Sequence, residues 1–112
     1  MIKTTALYKD ISNQEEFIQF YTETFLPHLM SVPGVVKVKM TRLVPSPFEN
    51  KISENEAQYF LQCETYYESA EAFEQALKTP EGIEAAQCIL EVASHFMTTY
   101  VGDETTYYNK SE

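Results

Sequence analysis

The sequence predicts an α+β domain of ferredoxin-like layout, a four-stranded antiparallel sheet carrying its helices on one face. Three observations lead there. Runs rich in β-branched and aromatic residues alternate with helical periodicity in the order strand, helix, two strands, two helices, strand. Strands separated by helices imply crossover connections that gather the helices on one side of a single sheet. A chain of 112 residues with 44% hydrophobic and 13% aromatic content is globular and holds one core, so residues 1–112 are expected to form a single domain.

The elements follow in order. Ile2 to Tyr8 is β-branched and aromatic, is bounded by Lys9-Asp10, and reads as the first strand. Ser12-Asn13-Gln14-Glu15 fits a capping box in which Ser12 and Glu15 satisfy each other's free amides. Phe17, Phe20, Tyr21 and Phe25 then recur at helical spacing, and Pro33-Gly34 ends the element. Val35 to Val44 is the second strand, with Val36, Val38 and Met40 alternating with Lys37, Lys39 and Thr41. Pro45-Ser46-Pro47 breaks it, and the polar segment to Glu56 reads as a mobile loop.

Tyr59 to Tyr67 is the third strand. Ser69 caps a short helix over Ala70 to Lys78, with Glu71 in the first turn, where a carboxylate suits the helix dipole. Thr79-Pro80 is a second cap, with proline at the first helical position, and opens a helix to about Ser94. Met97 to Val101 is the fourth strand, and residues 103–112 form a C-terminal tail, polar apart from Tyr107 and Tyr108.

Composition narrows the function classes. The net charge of −9 repels phosphate backbones and anionic lipid, so nucleic acid and membranes are not expected partners. No apolar run approaches the roughly 20 residues of a membrane span. The start MIKTTALYKD lacks the pattern of an export signal, and the expected location is the cytoplasm. Cys63 and Cys88 are far apart in apolar surroundings and read as free core residues. Two histidines without spaced acidic partners give no metal site, and three glycines leave no phosphate-binding loop. No cofactor is expected.

The third strand suggests a partner. Leu61 and Cys63 point one way, while Phe60 and Tyr66 share the other with Gln62 and Glu64. That second face is too apolar for water, and two copies packing it together as a homodimer would bury it.

Several segments in this order resemble the EthD-like family. They are MIKTTALYK, Tyr21-Thr22-Glu23-Thr24-Phe25-Leu26-Pro27, Val32-Pro33-Gly34, Tyr66-Tyr67-Glu68-Ser69 and Thr79-Pro80-Glu81-Gly82. The resemblance implies a homodimer closing an α+β barrel from two sheets, with a ligand cavity between sheet and helices. It also implies a link to the breakdown of small organic molecules. Wider relatives of this barrel include cofactor-independent monooxygenases, dehydratases, muconolactone isomerases and haem enzymes. The family's helix typically carries Glu-Thr-His-x-Pro, and Phe25 stands here where that histidine would be. His28 lies three residues further on, about 300° around a helix, on roughly the same face.

His28 is the first candidate for a general base, because imidazole titrates near neutral pH. Glu64 or Tyr66 would be its partner. A histidine in a last helical turn more often serves the dipole and the final carbonyls. Glu64 is the second candidate for catalysis: facing a cavity it would act as an acid or donor, whereas paired with Lys37, Lys39 or Arg42 it would be structural. Tyr8, Phe25, Gln62, Tyr66, His95 and Tyr100 are the expected ligand contacts, with His95 at the junction before the fourth strand. Two main functions follow: a homodimer binding a small, largely apolar organic molecule and acting on it without a cofactor, or a non-catalytic barrel that has lost the histidine. A haem-linked oxidoreductase ranks third.

Overall fold

The β-branched run near the start of the chain forms β1 (Ile2–Lys9), one of two central strands. The computed structural model describes residues 1–46 and 58–109. Strands β2 (Val35–Arg42), β3 (Tyr59–Tyr67) and β4 (Met97–Asp103) complete one antiparallel sheet in the order β2-β3-β1-β4. This is the expected α+β fold. The loop expected up to Glu56 falls largely, and the end of the C-terminal tail wholly, outside the described residues.

The first helical run is α1 (Gln14–Phe20), a π-helical turn (Tyr21–Phe25) and α2 (Leu26–Met30) in succession. Its cap is one residue later than expected. Asn13, rather than Ser12, accepts the Glu16 amide at 3.0 Å and donates to the Glu16 carboxylate at 3.1 Å. Asparagine caps as well as serine, and Glu15 is left to pair with Arg42 at 2.8 Å.

The single helix expected up to Pro33 is interrupted because Pro27 has no amide hydrogen and its ring crowds the carbonyl four residues back. In the π turn ahead of it, the Leu26 amide bonds to the Tyr21 carbonyl, five residues away. Tyr21 and Phe25 are both buried in that turn, with ring centroids 5.0 Å apart.

Ser69 caps α3 (Ala70–Ala76) and Thr79 caps α4 (Pro80–Ala93), each through a 3.0 Å bond from an amide three residues on. Gly34 turns the chain into β2 at φ 92°, and a Cβ there would come within 3.1 Å of the Ala72 Cβ. Both constraints favour glycine.

The core lies between the sheet and the helices. Tyr8, Leu61, Cys63 and Tyr67 rise from the strands to meet Phe17, Tyr21, Phe25 and Leu29 from the first helical run and Ala85, Ile89 and Ala93 from α4. Phe60 corrects the face assignment made from alternation. It joins this core, edge-on to Phe17 at 6.3 Å. The register slips between Tyr8, opposite Leu61, and Lys9, opposite Tyr59. The bulge gives β3 one extra residue and returns Phe60 to the core.

Candidate functional site

A cavity of about 390 Å³ opens between the sheet and the helices. Its floor comes from alternate residues of the strands: Thr4, Ala6 and Tyr8 of β1, Cys63, Thr65 and Tyr67 of β3, and Met97 and Thr99 of β4. Tyr21, Phe25 and Leu29 wall it from the first helical run, and Gly82, Ala85 and Ile89 from α4. Leu77, Leu90 and Val101 are exposed lining residues at its rim. Among the described residues, no charged side chain and no histidine lines it.

Its polarity comes from phenols, threonines and one thiol. Tyr8 is 1% exposed and Tyr21 2%, with ring centroids 6.3 Å apart and nearly perpendicular. Burial drives both phenols well above the ordinary tyrosine range, and nearby Cys63 adds to this. Burial likewise pushes the Cys63 thiol up to about 11, against the opposing effect of a hydrogen bond with Tyr21. Tyr67 is raised by burial and is partly offset by its hydrogen bond with Thr4. At neutral pH all four groups keep their protons, so the wall is uncharged and rich in donors.

The expected site residues divide between the two faces of the sheet. Tyr8 and Phe25 line the cavity; Tyr100 borders it on the exposed edge strand β4, although its register with Thr5 gives it the parity of the opposite face. Gln62, Glu64 and Tyr66 lie on the opposite face, their register partners on β1 being Leu7, Thr5 and Lys3. His28 is outside the cavity, its Nδ1 3.8 Å from a carboxylate oxygen of Glu84 on α4. His95 is exposed in the turn between α4 and β4. Cavity-lining Tyr21, Cys63 and Tyr67 were not among the expected contacts, because their spacing reads as ordinary core.

The opposite face holds a charged network. Lys3 Nζ bonds the Glu64 carboxylate and lies 3.1 Å from that of Glu104. Glu64 therefore pairs with β1 rather than with the lysines of β2. The hydrogen bond to Glu64 raises the Lys3 ammonium above its ordinary value against the cost of desolvation. Tyr66 donates to Glu104 at 2.8 Å, while the ammonium groups of Lys3, Lys37 and Lys39 sit 4.8–5.5 Å from its ring centroid. Lysine stems help to cover this face, and Tyr66 is only 1% exposed.

Among the described residues no helix is long and apolar enough to cross a membrane, and no cluster of three or more potential metal ligands occurs. A comparison with curated proteins found no significant match. Among solved structures, an ethyl tert-butyl ether d (EthD) family protein from Bacillus halodurans is 31% identical. That match covers 94% of this chain and 99% of that one, with a TM-score of 0.80.

SnoaB from Streptomyces nogalater, a cofactor-independent oxygenase, is 15% identical with a TM-score of 0.59, covering 99% of this chain and 97% of that one. A dimeric ferredoxin-like protein of unknown function from Thermobifida fusca is 9% identical with a TM-score of 0.59, covering 90% and 88%. These two likenesses are of fold. A model of the EthD domain matches residues 10–99, and with that span and the Bacillus relative the chain belongs to the EthD family.

Proposed function

We propose that the protein is a homodimer that binds a small, uncharged, largely apolar organic molecule in the cavity between sheet and helices. The observation that carries this reading is the lining: a volume of about 390 Å³ walled by aliphatic, aromatic and phenolic groups without a charged side chain among the described residues. That volume lies in the range of small-molecule sites. A ligand carboxylate would lose its hydration there without gaining a cation, at a cost of several kcal/mol. Tyr8, Phe25 and Tyr100 contact the ligand, while His28 and Glu64 serve ion pairs. The second subunit covers the face bearing Gln62, Glu64 and Tyr66, a role supported by the dimeric relative from Thermobifida fusca. Free Cys63 and Cys88 suit the reducing cytoplasm.

Phe25 on the cavity wall favours binding without catalysis, since among the described residues the lining offers no histidine or carboxylate to serve as a base. The cofactor-independent enzyme reading stands second and draws on the shared fold with SnoaB. The binding test compares 2-methylnaphthalene with 2-naphthoate, two molecules of like shape, by the rise each produces in melting temperature. The hydrocarbon is expected to stabilise the protein at concentrations where the carboxylate does not. Equal effects, or stabilisation by the carboxylate alone, would overturn the reading.

A further inference from the structure

The cavity's donors are unevenly employed. Tyr21 and Cys63 share a hydrogen bond, and Tyr67 and Thr4 share another. The Tyr8 hydroxyl has no hydrogen-bond partner among the described residues; its side chain is nearly fully buried and lines the cavity, and since no buried side-chain oxygen among the described residues lacks a partner, the hydroxyl opens onto that cavity. Its neighbours are close: the Tyr21 ring stands edge-on at 6.3 Å, and Cys63 lies on the same floor, where Ala6 pairs with it across the strands.

A ligand filling the cavity would shut the Tyr8 hydroxyl off from water, and an O–H enclosed without an acceptor is costlier than an idle lone pair. The ligand group that meets Tyr8 is therefore an acceptor. The surrounding wall restricts its kind. Phenols and a thiol that keep their protons, with no cation among them, suit a neutral acceptor oxygen over an anionic one.

We infer that the cavity selects uncharged molecules presenting a carbonyl oxygen, which takes its hydrogen bond from the Tyr8 hydroxyl beside Tyr21. The inference rests on the reading of the cavity as a small-molecule site and adds the polar group that orients the ligand. The aliphatic wall from α4 takes the ligand's hydrocarbon body, and the carbonyl end faces the tyrosines on the floor.

Two uncharged tricyclic probes of nearly identical shape test it: 9-fluorenone, which has the carbonyl, and fluorene, which does not. Fluorenone is expected to bind about tenfold more tightly, the worth of one or two neutral hydrogen bonds. Tyr8→Phe is expected to bring fluorenone to within about twofold of fluorene while leaving fluorene unchanged. That variant removes a hydroxyl without a partner among the described residues, and it should fold as the parent does. A second readout needs no variant: the carbonyl stretch of bound fluorenone should fall below its value in an apolar solvent.

Equal affinities for the two probes with an unshifted stretch would overturn the carbonyl inference and leave the small-molecule cavity standing. Failure of both probes to bind would overturn the cavity reading itself, and the inference with it. Preference for fluorenone that survives Tyr8→Phe would place the donor elsewhere and overturn the assignment to Tyr8.

Discussion

The Tyr66 phenol on β3 donates a 2.8 Å hydrogen bond to the Glu104 carboxylate, one residue past the end of β4. Glu104 also pairs with Lys3 from the strand between them, so one carboxylate ties the start of the tail to both central strands. The Glu104 backbone takes part as well: its amide bonds to the Met1 carbonyl at 2.9 Å, and its carbonyl accepts from the Met1 ammonium at 2.8 Å. The N-terminus and the start of the C-terminal tail are thereby held together beside the sheet's outer face.

This network predicts an acid-sensitive contribution to stability. The Tyr66 hydrogen bond, followed by that from Lys3, holds the Glu104 carboxyl below its ordinary value of 4.5. A carboxyl lowered in the folded state stabilises above its unfolded value, and that contribution fades as pH falls through the folded one. Glu104→Gln should therefore melt below the parent at pH 7, with the gap narrowing as pH drops below about 4.5. Thermal unfolding across pH 3 to 7 measures this. A gap that stays constant with pH would show that Glu104 acts through packing alone.

A homodimer through the outer sheet face predicts a native mass of twice 12.9 kDa by sedimentation velocity. Leu7 is half-buried on that face, opposite Gln62 on one side and Thr98 on the other. Leu7→Glu should add like charges to the buried centre of the interface and shift the mass toward 12.9 kDa, with the circular dichroism spectrum unchanged. A parent protein that sediments as a monomer at micromolar concentration would remove the dimer.

The fold was legible where local chemistry decides and obscured where pairing decides. The span of β3 follows from its aromatic and β-branched run, and the caps at Ser69 and Thr79 follow from side-chain type and position. Phe60 did not yield to alternation, because a one-residue bulge against Lys9 is set by the neighbouring strand. Ser12 and Asn13 are adjacent residues of equal capping ability, so residue type alone does not choose between them, and the cap is Asn13. The site was legible in part. Tyr8 and Phe25 were identified, but Tyr21, Cys63 and Tyr67 share the spacing of core residues, and a cavity wall carries the same apolar pattern as a core. The hydroxyl groups of the two tyrosines were the one signal that could have set them apart.

Two glycines predict unequal costs. A Cβ on Gly82 would lie 1.8 Å from the carbonyl oxygen of Ala76, the last residue of α3, a backbone atom that cannot give way without moving the end of α3 away from α4. Gly34 has the strained φ of 92°, yet its nearest obstacle is the Ala72 Cβ at 3.1 Å. Gly34→Ala should cost about 1–2 kcal/mol in chemical denaturation. Gly82→Ala should cost more, about 3 kcal/mol or above, and should also weaken ligand binding because Gly82 lines the cavity. Equal losses for the two variants would contradict this ordering.

Phe25 supplies the sharpest test of the cavity's polarity. It is 6% exposed, lines the cavity and packs edge-on against Tyr21. Phe25→His is not a neutral exchange: an imidazole in that wall, with no carboxylate among the described lining residues, is desolvated, and its folded pKa should lie below the unfolded value of about 6.5. A histidine depressed in this way is destabilising under acid, because the unfolded chain takes up the proton more readily. The stability deficit of Phe25→His relative to the parent should therefore be smallest above pH 7 and widen as pH falls through 6.5, by about 1.4 kcal/mol for each unit of depression. Denaturant unfolding at pH 5 and 7.5, with an NMR titration of the new imidazole, measures both quantities. A titration at or above 6.5 with a deficit independent of pH would mean that position 25 is wet or charge-compensated, and the uncharged cavity would lose its main support.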